Sequence, residues 1–287
     1  MLRNDIKIGF IGVGYMGYGM AFNILKKKYN LNIIAHKNRN SINKLVKLGA
    51  TELKTFKNFA INSKVIIICV TNTIIAKKII NNLKYFLIKG TLIIDITTHN
   101  QNGSIEISNM LKSRSVHYCE SPVMGGPKQA ELGILGAIVG CEKKIFKQSK
   151  KILKIFCKEV FYFGKIGVGA KTKLISNFLS LGTTTLVIET IKAAEKLNID
   201  LKKLYGVAKL GSGNSGALTR IADKAIKGDY KGYIFSVNNA YKDLSYINDL
   251  LINLPDSHKL SSYFKSYYKK AINKGNGNLL ISELIKK

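Results

Sequence analysis

The sequence predicts an α/β protein: an N-terminal doubly wound parallel sheet followed by an all-α C-terminal domain. Three observations predict it. Short β-branched runs alternate with helix-spaced apolar segments as far as about residue 165. Those runs are apolar on both faces, as strands covered by helices on each side must be. Beyond them no strand pattern returns.

The expected strands, in order, are residues 6–11, 31–35, 65–70, 92–95, 116–119, 135–139 and 160–163. Between them, residues 16–27, 42–48 and 74–87 carry apolar side chains at helical spacing. The run Gly164-Lys165-Ile166-Gly167-Val168-Gly169 then breaks the texture, and residues 170–197 read as one long helix. Further helical stretches follow, interrupted by Gly/Ser/Asn breaks at 211–216 and 273–278. The expected division is a dinucleotide-type domain over 1–165 and a helical domain over 166–287.

Composition narrows the function classes. Hydrophobic residues make up 46% of 287 and charged residues 22%, enough apolar mass for a packed core and too much for a disordered chain. No uninterrupted apolar run reaches the roughly eighteen residues that a membrane helix needs, so no membrane partner is expected. The N-terminus enters a strand at once, without the pattern of a signal peptide. Cys69, Cys119, Cys141 and Cys157 lie far apart, which suits free thiols in a reducing, cytoplasmic setting and no metal site. The formal charge of +29 suggests nucleic acid at first sight. But the basic residues are almost all Lys, spread along the chain, with Arg only at Arg3, Arg39, Arg114 and Arg220. Lys, Asn and Ile excesses together point to an A/T-rich coding bias, and nucleic-acid binding is not expected.

Four segments carry chemistry. Gly12-Val13-Gly14-Tyr15-Met16-Gly17 follows the first strand and opens the first helix. In that context the first Gly permits a tight turn, the second lets backbone approach a pyrophosphate, and the third allows close packing of helix on strand. Glu120-Ser121-Pro122-Val123-Met124-Gly125-Gly126-Pro127 ends a strand with paired glycines whose amides suit a carboxylate. Taken alone, an ordinary β-turn explains it as well. Lys173 and Asn177 stand at i and i+4 on the long helix, an ammonium and an amide able to hold a substrate oxygen and pass it a proton. Lys242-Asp243-Leu244 by itself reads as a helix-surface pair.

In this order the four segments resemble the β-hydroxyacid dehydrogenase family, which includes 3-hydroxyisobutyrate dehydrogenase and tartronate semialdehyde reductase, over essentially the whole chain. The family's Gly-x-Gly-x-Met-Gly is similar to residues 12–17, methionine included. Its Asp-Ala-Pro-Val-Ser-Gly-Gly resembles residues 120–126, its Gly-x-Gly-x-x-x-Lys-x-x-Asn-Asn residues 167–177, and its Lys-Asp-Leu residues 242–244. Its Asp-x-Ser-Thr segment corresponds to Asp95-Ile96-Thr97-Thr98, and its Leu-Pro dipeptide to Val70-Thr71. There are three departures. Met124 replaces a substrate-binding Ser, Ser176 replaces the first Asn, and Val70-Thr71 replaces Leu-Pro.

The resemblance implies hydride transfer between a nicotinamide cofactor and a small β-hydroxy acid or the corresponding semialdehyde. It implies Lys173 as general acid/base, with Asn177 orienting the same oxygen. Ser121, Met124, Gly125 and Gly126 would contact the substrate. Gly12, Gly14, Tyr15, Met16, Gly17, His36, Lys37, Val70, Thr71, Thr98, Phe235 and Lys242 would contact the cofactor, in a Rossmann-type first domain. Counting back from Gly49-Ala50 puts His36 where NAD-preferring members carry Asp, and Lys37 on a frequent Arg. No carboxylate lies between Asp5 and Glu52, and Lys37 and Arg39 suit a 2′-phosphate. NADP is therefore favoured over NAD. The active site is expected in an interdomain cleft, and the apolar surplus on the long helix suggests a homodimer or homotetramer. The rival readings are an imine-reductase-like enzyme on the same scaffold and a catalytically silent dinucleotide-binding sensor or scaffold. Retention of Lys173 with Asn177 disfavours both.

Overall fold

A computed structural model describes residues 6–35 and 39–287 of the chain. They form two compact units, which meet in sequence at Lys173 and Leu174, inside one continuous helix.

The first unit is built on nine strands: β1 Lys7–Ile11, β2 Asn30–Ile34, β3 Thr51–Leu53, β4 Val65–Ile68, β5 Leu92–Asp95, β6 His117–Glu120, β7 Val123–Met124, β8 Leu135–Cys141 and β9 Cys157–Gly164. Its helices are α1 Tyr15–Lys26, α2 Arg39–Lys47, α3 Phe56–Ile61, α4 Thr73–Leu83, α5 Gly103–Leu111, α6 Pro127–Leu132 and α7 Lys143–Leu153. The order across the sheet is β3-β2-β1-β4-β5-β6-β8-β7, with β9 on β8. From β3 through β6 every pairing is parallel. The chain winds outward from β1 in one direction, then crosses back to β4 on its other side. That reversal is the topological switch point where doubly wound sheets bind ligands.

Strand alternation explains why both faces are apolar. Ile8, Phe10, Val65, Ile67, Leu92 and Ile94 enter the core on one face, beneath Met20 and Ile24 of α1. Ile11, Ile66, Ile68 and Ile93 enter the other, against Phe59, Ile80 and Ile107.

The sheet departs from the sequence expectation at its far edge. β8 runs antiparallel to both β6 and β7, so the sheet is mixed. Between β7 and β8 there is room only for the six-residue α6, too short for the crossover that parallel neighbours need. β3 and β7 escape a sequence reading because each is only two or three residues long.

Helix α8, Val168–Lys196, is 29 residues long and continues into the second unit. By length and composition it is apolar enough to cross a membrane, a property a search for uninterrupted apolar runs passes over; half of its most apolar stretch is buried inside the protein. The second unit adds α9 Leu201–Ala208, α10 Gly216–Ala225, α11 Val237–Leu250 and α12 Pro255–Asn273. They close on a core of Leu181, Ile188, Ile221, Leu244 and Ile247. Tyr268 is fully buried there, its hydroxyl 3.0 Å from that of Thr185. Ser215, Ser236 and Asp200 cap three of these helices by accepting a backbone N–H.

Candidate active site

The turn after β1 is shaped by missing side chains. Gly12 has φ +96°, and a Cβ there would stand 2.0 Å from the Cys69 carbonyl oxygen. A Cβ on Gly17 would stand 2.0 Å from the Gly12 carbonyl oxygen. Both are contacts with backbone, which a flexible side chain cannot relieve. Gly14 is different: it is exposed, and a Cβ on it would meet nothing within 4 Å. It caps α1 without a side-chain hydrogen bond, which leaves the first amides and the positive end of the helix to an anion. Tyr15 stands exposed beside it and Met16 is half-buried. An open glycine face at an uncapped helix start, at the switch point of the sheet, fits a dinucleotide pyrophosphate.

The loops after β4 and β5 are tied together by a buried polar network. Asp95 Oδ1 accepts from the Thr97 amide at 3.0 Å. Its Oδ2 lies 2.9 Å from His99 Nε2 and accepts from the Tyr118 hydroxyl at 3.2 Å. His99 Nδ1 lies 3.3 Å from the Thr73 hydroxyl, which also accepts from the Asn100 amide at 3.1 Å. A carboxylate only accepts, so Nε2 carries the proton toward Asp95. Thr97 in turn accepts from the Val70 amide at 3.3 Å. The network thus holds Val70 and the half-buried Thr98 in place, while Thr71 is exposed. Burial, reinforced by Asp95 and Glu120, pushes the Tyr118 hydroxyl well above its ordinary value. The sequence reading missed His99. Its only signal was a histidine four residues beyond a strand-ending aspartate.

The segment after β6 carries the substrate candidates. Lys173 Nζ donates to the Val123 carbonyl at 2.8 Å and lies 3.3 Å from Met124 Sδ. The candidate acid/base and the residue that departs from the family pattern are therefore neighbours. Gly125 has φ +117°, in the left-handed region that glycine favours. The Gly126 amide donates to Gln129 Oε1 at 3.0 Å, closing the start of α6, so it is committed within the chain. Ser121 is fully buried, and its hydroxyl has no hydrogen-bond partner among the described residues.

In the second unit, Asn177 Nδ2 donates to Asp243 Oδ2 at 2.8 Å. The carboxylate fixes which way the amide faces. Lys242 Nζ lies 2.8 Å from Asp243 Oδ1 and 5.5 Å from the Tyr246 ring centroid. Asp243 is only 2% exposed, so the helix-surface reading of this pair is wrong for the aspartate. Phe235 is half-buried at the start of α11. His36 and Lys37 lie outside the described residues. Arg39, proposed as a phosphate partner, is instead held by Glu52, with nitrogen–oxygen distances of 2.7 and 3.0 Å. The guanidinium keeps the Glu52 carboxyl at about 2.

Comparison with known proteins agrees with this geometry. The profile for the NAD binding domain of 6-phosphogluconate dehydrogenase matches residues 7–164. The profile described as NAD-binding of NADP-dependent 3-hydroxyisobutyrate dehydrogenase matches residues 167–287. The fold and the matched profiles define an NAD(P)-dependent oxidoreductase. More particularly, the chain belongs to the β-hydroxyacid dehydrogenase family of the 3-hydroxyisobutyrate dehydrogenase type.

Among its relatives, 2-(hydroxymethyl)glutarate dehydrogenase of Eubacterium barkeri is 27% identical over 85% of this chain and 81% of that one. Glyoxylate/succinic semialdehyde reductase 1 of Arabidopsis thaliana is 24% identical over 98% and 97%. The crystal structure of a 3-hydroxyisobutyrate dehydrogenase from Salmonella typhimurium superposes with a TM-score of 0.90 at 23% identity, covering 98% and 99% of the two chains.

Proposed function

We propose that the enzyme interconverts a small β-hydroxy acid and its semialdehyde, with Lys173 as general acid/base and NADP preferred over NAD. One observation carries the reading: the Lys173 ammonium is held against the Val123 carbonyl, beside Met124, at the end of the segment that resembles the family's substrate motif. The nicotinamide, when bound, supplies or accepts the hydride. Gly12, Gly14 and Gly17 shape the turn that would receive the pyrophosphate, and Val70, Thr71 and Thr98 would line the cofactor beyond it. Phe235 and Lys242 remain proposed cofactor contacts.

Lys173 would give its proton to the carbonyl oxygen during reduction and take one back during oxidation. Asn177 follows one turn along α8 and would direct its remaining N–H at the same oxygen. The Gly125 amide, which the capping bond of α6 does not use, suits the substrate carboxylate. The preference for NADP rests on the absence of a carboxylate between Asp5 and Glu52, and on the pairing of Glu52 with Arg39. His36 and Lys37 remain the proposed contacts to the 2′-phosphate. Free thiols suit a cytoplasmic enzyme. Ile175, Leu179 and Leu186 form an exposed apolar stripe on α8 and support a homodimer or homotetramer.

The test is a panel of small hydroxy acids and semialdehydes, followed by reduced-nicotinamide absorbance with each cofactor. Lys173→Ala should lower turnover on the best substrate by roughly a hundred- to ten-thousand-fold. Retention of half the wild-type rate would refute the role of Lys173. NADPH should outperform NADH, and His36→Asp should shift that ratio toward NADH. Wild-type preference for NADH, or an unmoved ratio, overturns the cofactor reading.

A further inference from the structure

Glu120 is a fully buried carboxyl at the end of β6. Its Oε1 accepts from the amides of Gly167 and Gly169, both at 2.7 Å. These are the opening amides of α8, the helix that carries Lys173. Three residues after Glu120, the same segment offers the Val123 carbonyl to Lys173 Nζ at 2.8 Å. One short stretch of chain therefore grips α8 at two points about one helical turn apart. The first grip is on backbone and the second on the reactive amine.

The surroundings are cut to the size of this side chain. A Cβ at Gly140, the residue paired with Glu120 across β6 and β8, would stand 2.1 Å from Glu120 Oε1. A Cβ at Gly169 would stand 3.0 Å from the same oxygen. Charge-assisted bonds to backbone N–H groups at a helix start are short, strong and directional. Between them they fix where the helix begins, and with it where residue 173 points.

We propose that Glu120 is a positioning residue for Lys173: it anchors the first turn of α8 so that the ammonium meets the Val123 carbonyl and the substrate oxygen together. The inference rests on the reading of Lys173 as general acid/base. Glu120 acts through the helix and touches no reacting atom.

The test compares Glu120→Gln, Glu120→Ala, Gly140→Ala and Lys173→Ala. For each, kcat and KM are measured on the best substrate of the panel, with cofactor affinity by NADPH fluorescence and melting temperature. Glutamine keeps an oxygen for both amides, and its nitrogen replaces Oε2, which has no hydrogen-bond partner among the described residues. Glu120→Gln should hold kcat within about threefold of wild type, since the acceptor is retained. Glu120→Ala should lower kcat by roughly tenfold or more, with cofactor affinity unchanged within about twofold, because a misplaced acid/base slows the chemical step. Gly140→Ala should do the same by displacing Oε1, and it decides the matter if Glu120→Ala does not fold. The proposal is overturned if either alanine variant keeps kcat within about twofold, or if Glu120→Gln loses as much as Glu120→Ala. It is equally overturned if cofactor affinity and melting temperature fall in step with kcat. A Lys173→Ala enzyme that stays active refutes the reading of Lys173 itself. A dead Lys173→Ala beside a fully active Glu120→Ala refutes only the positioning role.

Discussion

The turn after β1 and the segment after β6 are built by opposite means. In the first, shape comes from what is left out: at Gly12 and Gly17 backbone meets backbone, and Gly14 leaves a helix start open. In the second, shape comes from side chains that reach across the chain: Glu120 to residues 167 and 169, and Lys173 back to residue 123. A turn made of absences tolerates almost no addition. A segment made of long contacts tolerates changes that preserve the contact. This contrast is open to attack at three levels.

The largest expected effect is on the glycines. Gly17→Ala forces a Cβ to 2.0 Å from a carbonyl oxygen, and Gly12→Ala does so at positive φ. Each should destabilise the protein by about 3 kcal/mol or more, read as a shifted urea midpoint. Gly14→Ala has open space and should change stability by less than about 1 kcal/mol, as helix-cap substitutions do. Its effect should fall on cofactor affinity instead. A Gly17→Ala protein as stable as wild type, or a Gly14→Ala protein that binds cofactor unchanged, breaks the distinction between packing glycines and an approach glycine.

The same contrast explains what could be read in the sequence. The glycine turn was legible because its three glycines sit within six residues, directly between a strand and a helix. The buried strands were legible because β4 and β5 are apolar on both faces. Lys173 and Asn177 were legible as a pair because one helix sets their spacing. The partners of those residues were not. That Asp243 orients Asn177 over 66 positions, or that Glu120 holds a helix 47 and 49 positions on, has no local signature. By itself, Lys242-Asp243-Leu244 read as a helix-surface pair, and nothing local marks the aspartate as buried. Nor does a glycine pair in a turn reveal that the Gln129 side chain will accept from the Gly126 amide.

The second attack falls on Met124. Its sulfur lies 3.3 Å from the Lys173 ammonium, so a change at 124 should reach the substrate while leaving the helix anchor alone. With a thioether there, the enzyme should prefer a short carboxylated substrate with an apolar substituent. Met124→Ser puts back a hydroxyl and should shift the ratio of kcat/KM values toward a polyhydroxylated semialdehyde by about tenfold, the scale of a single pocket contact. The measurement is that ratio in both proteins. An unchanged ratio would show that residue 124 does not face the substrate.

The smallest effect is a slope, and it tests whether Glu120 is as desolvated as its burial implies. Burial pushes its carboxyl above the ordinary carboxylate range, and the nearby Ser104 hydroxyl and the backbone amides that open α8 only partly oppose it. An unfolded glutamate titrates at about 4.3. Below that pH both states carry the proton, and the group adds no pH dependence. Above it the unfolded chain releases the proton first, so the native state binds more protons and stability falls as pH rises. The fall ends once the pH passes the raised native value. For one proton its steepness cannot exceed about 1.4 kcal/mol per pH unit. Glu120→Gln removes the titration while keeping an oxygen for the two amides, so its stability relative to wild type should climb with pH through this window and then level off. Urea denaturation of both proteins at closely spaced pH values above 4 reads the difference directly. Two parallel curves would mean that the backbone bonds fully compensate the burial, and that the side-chain-built region is as indifferent to protonation as the glycine turn.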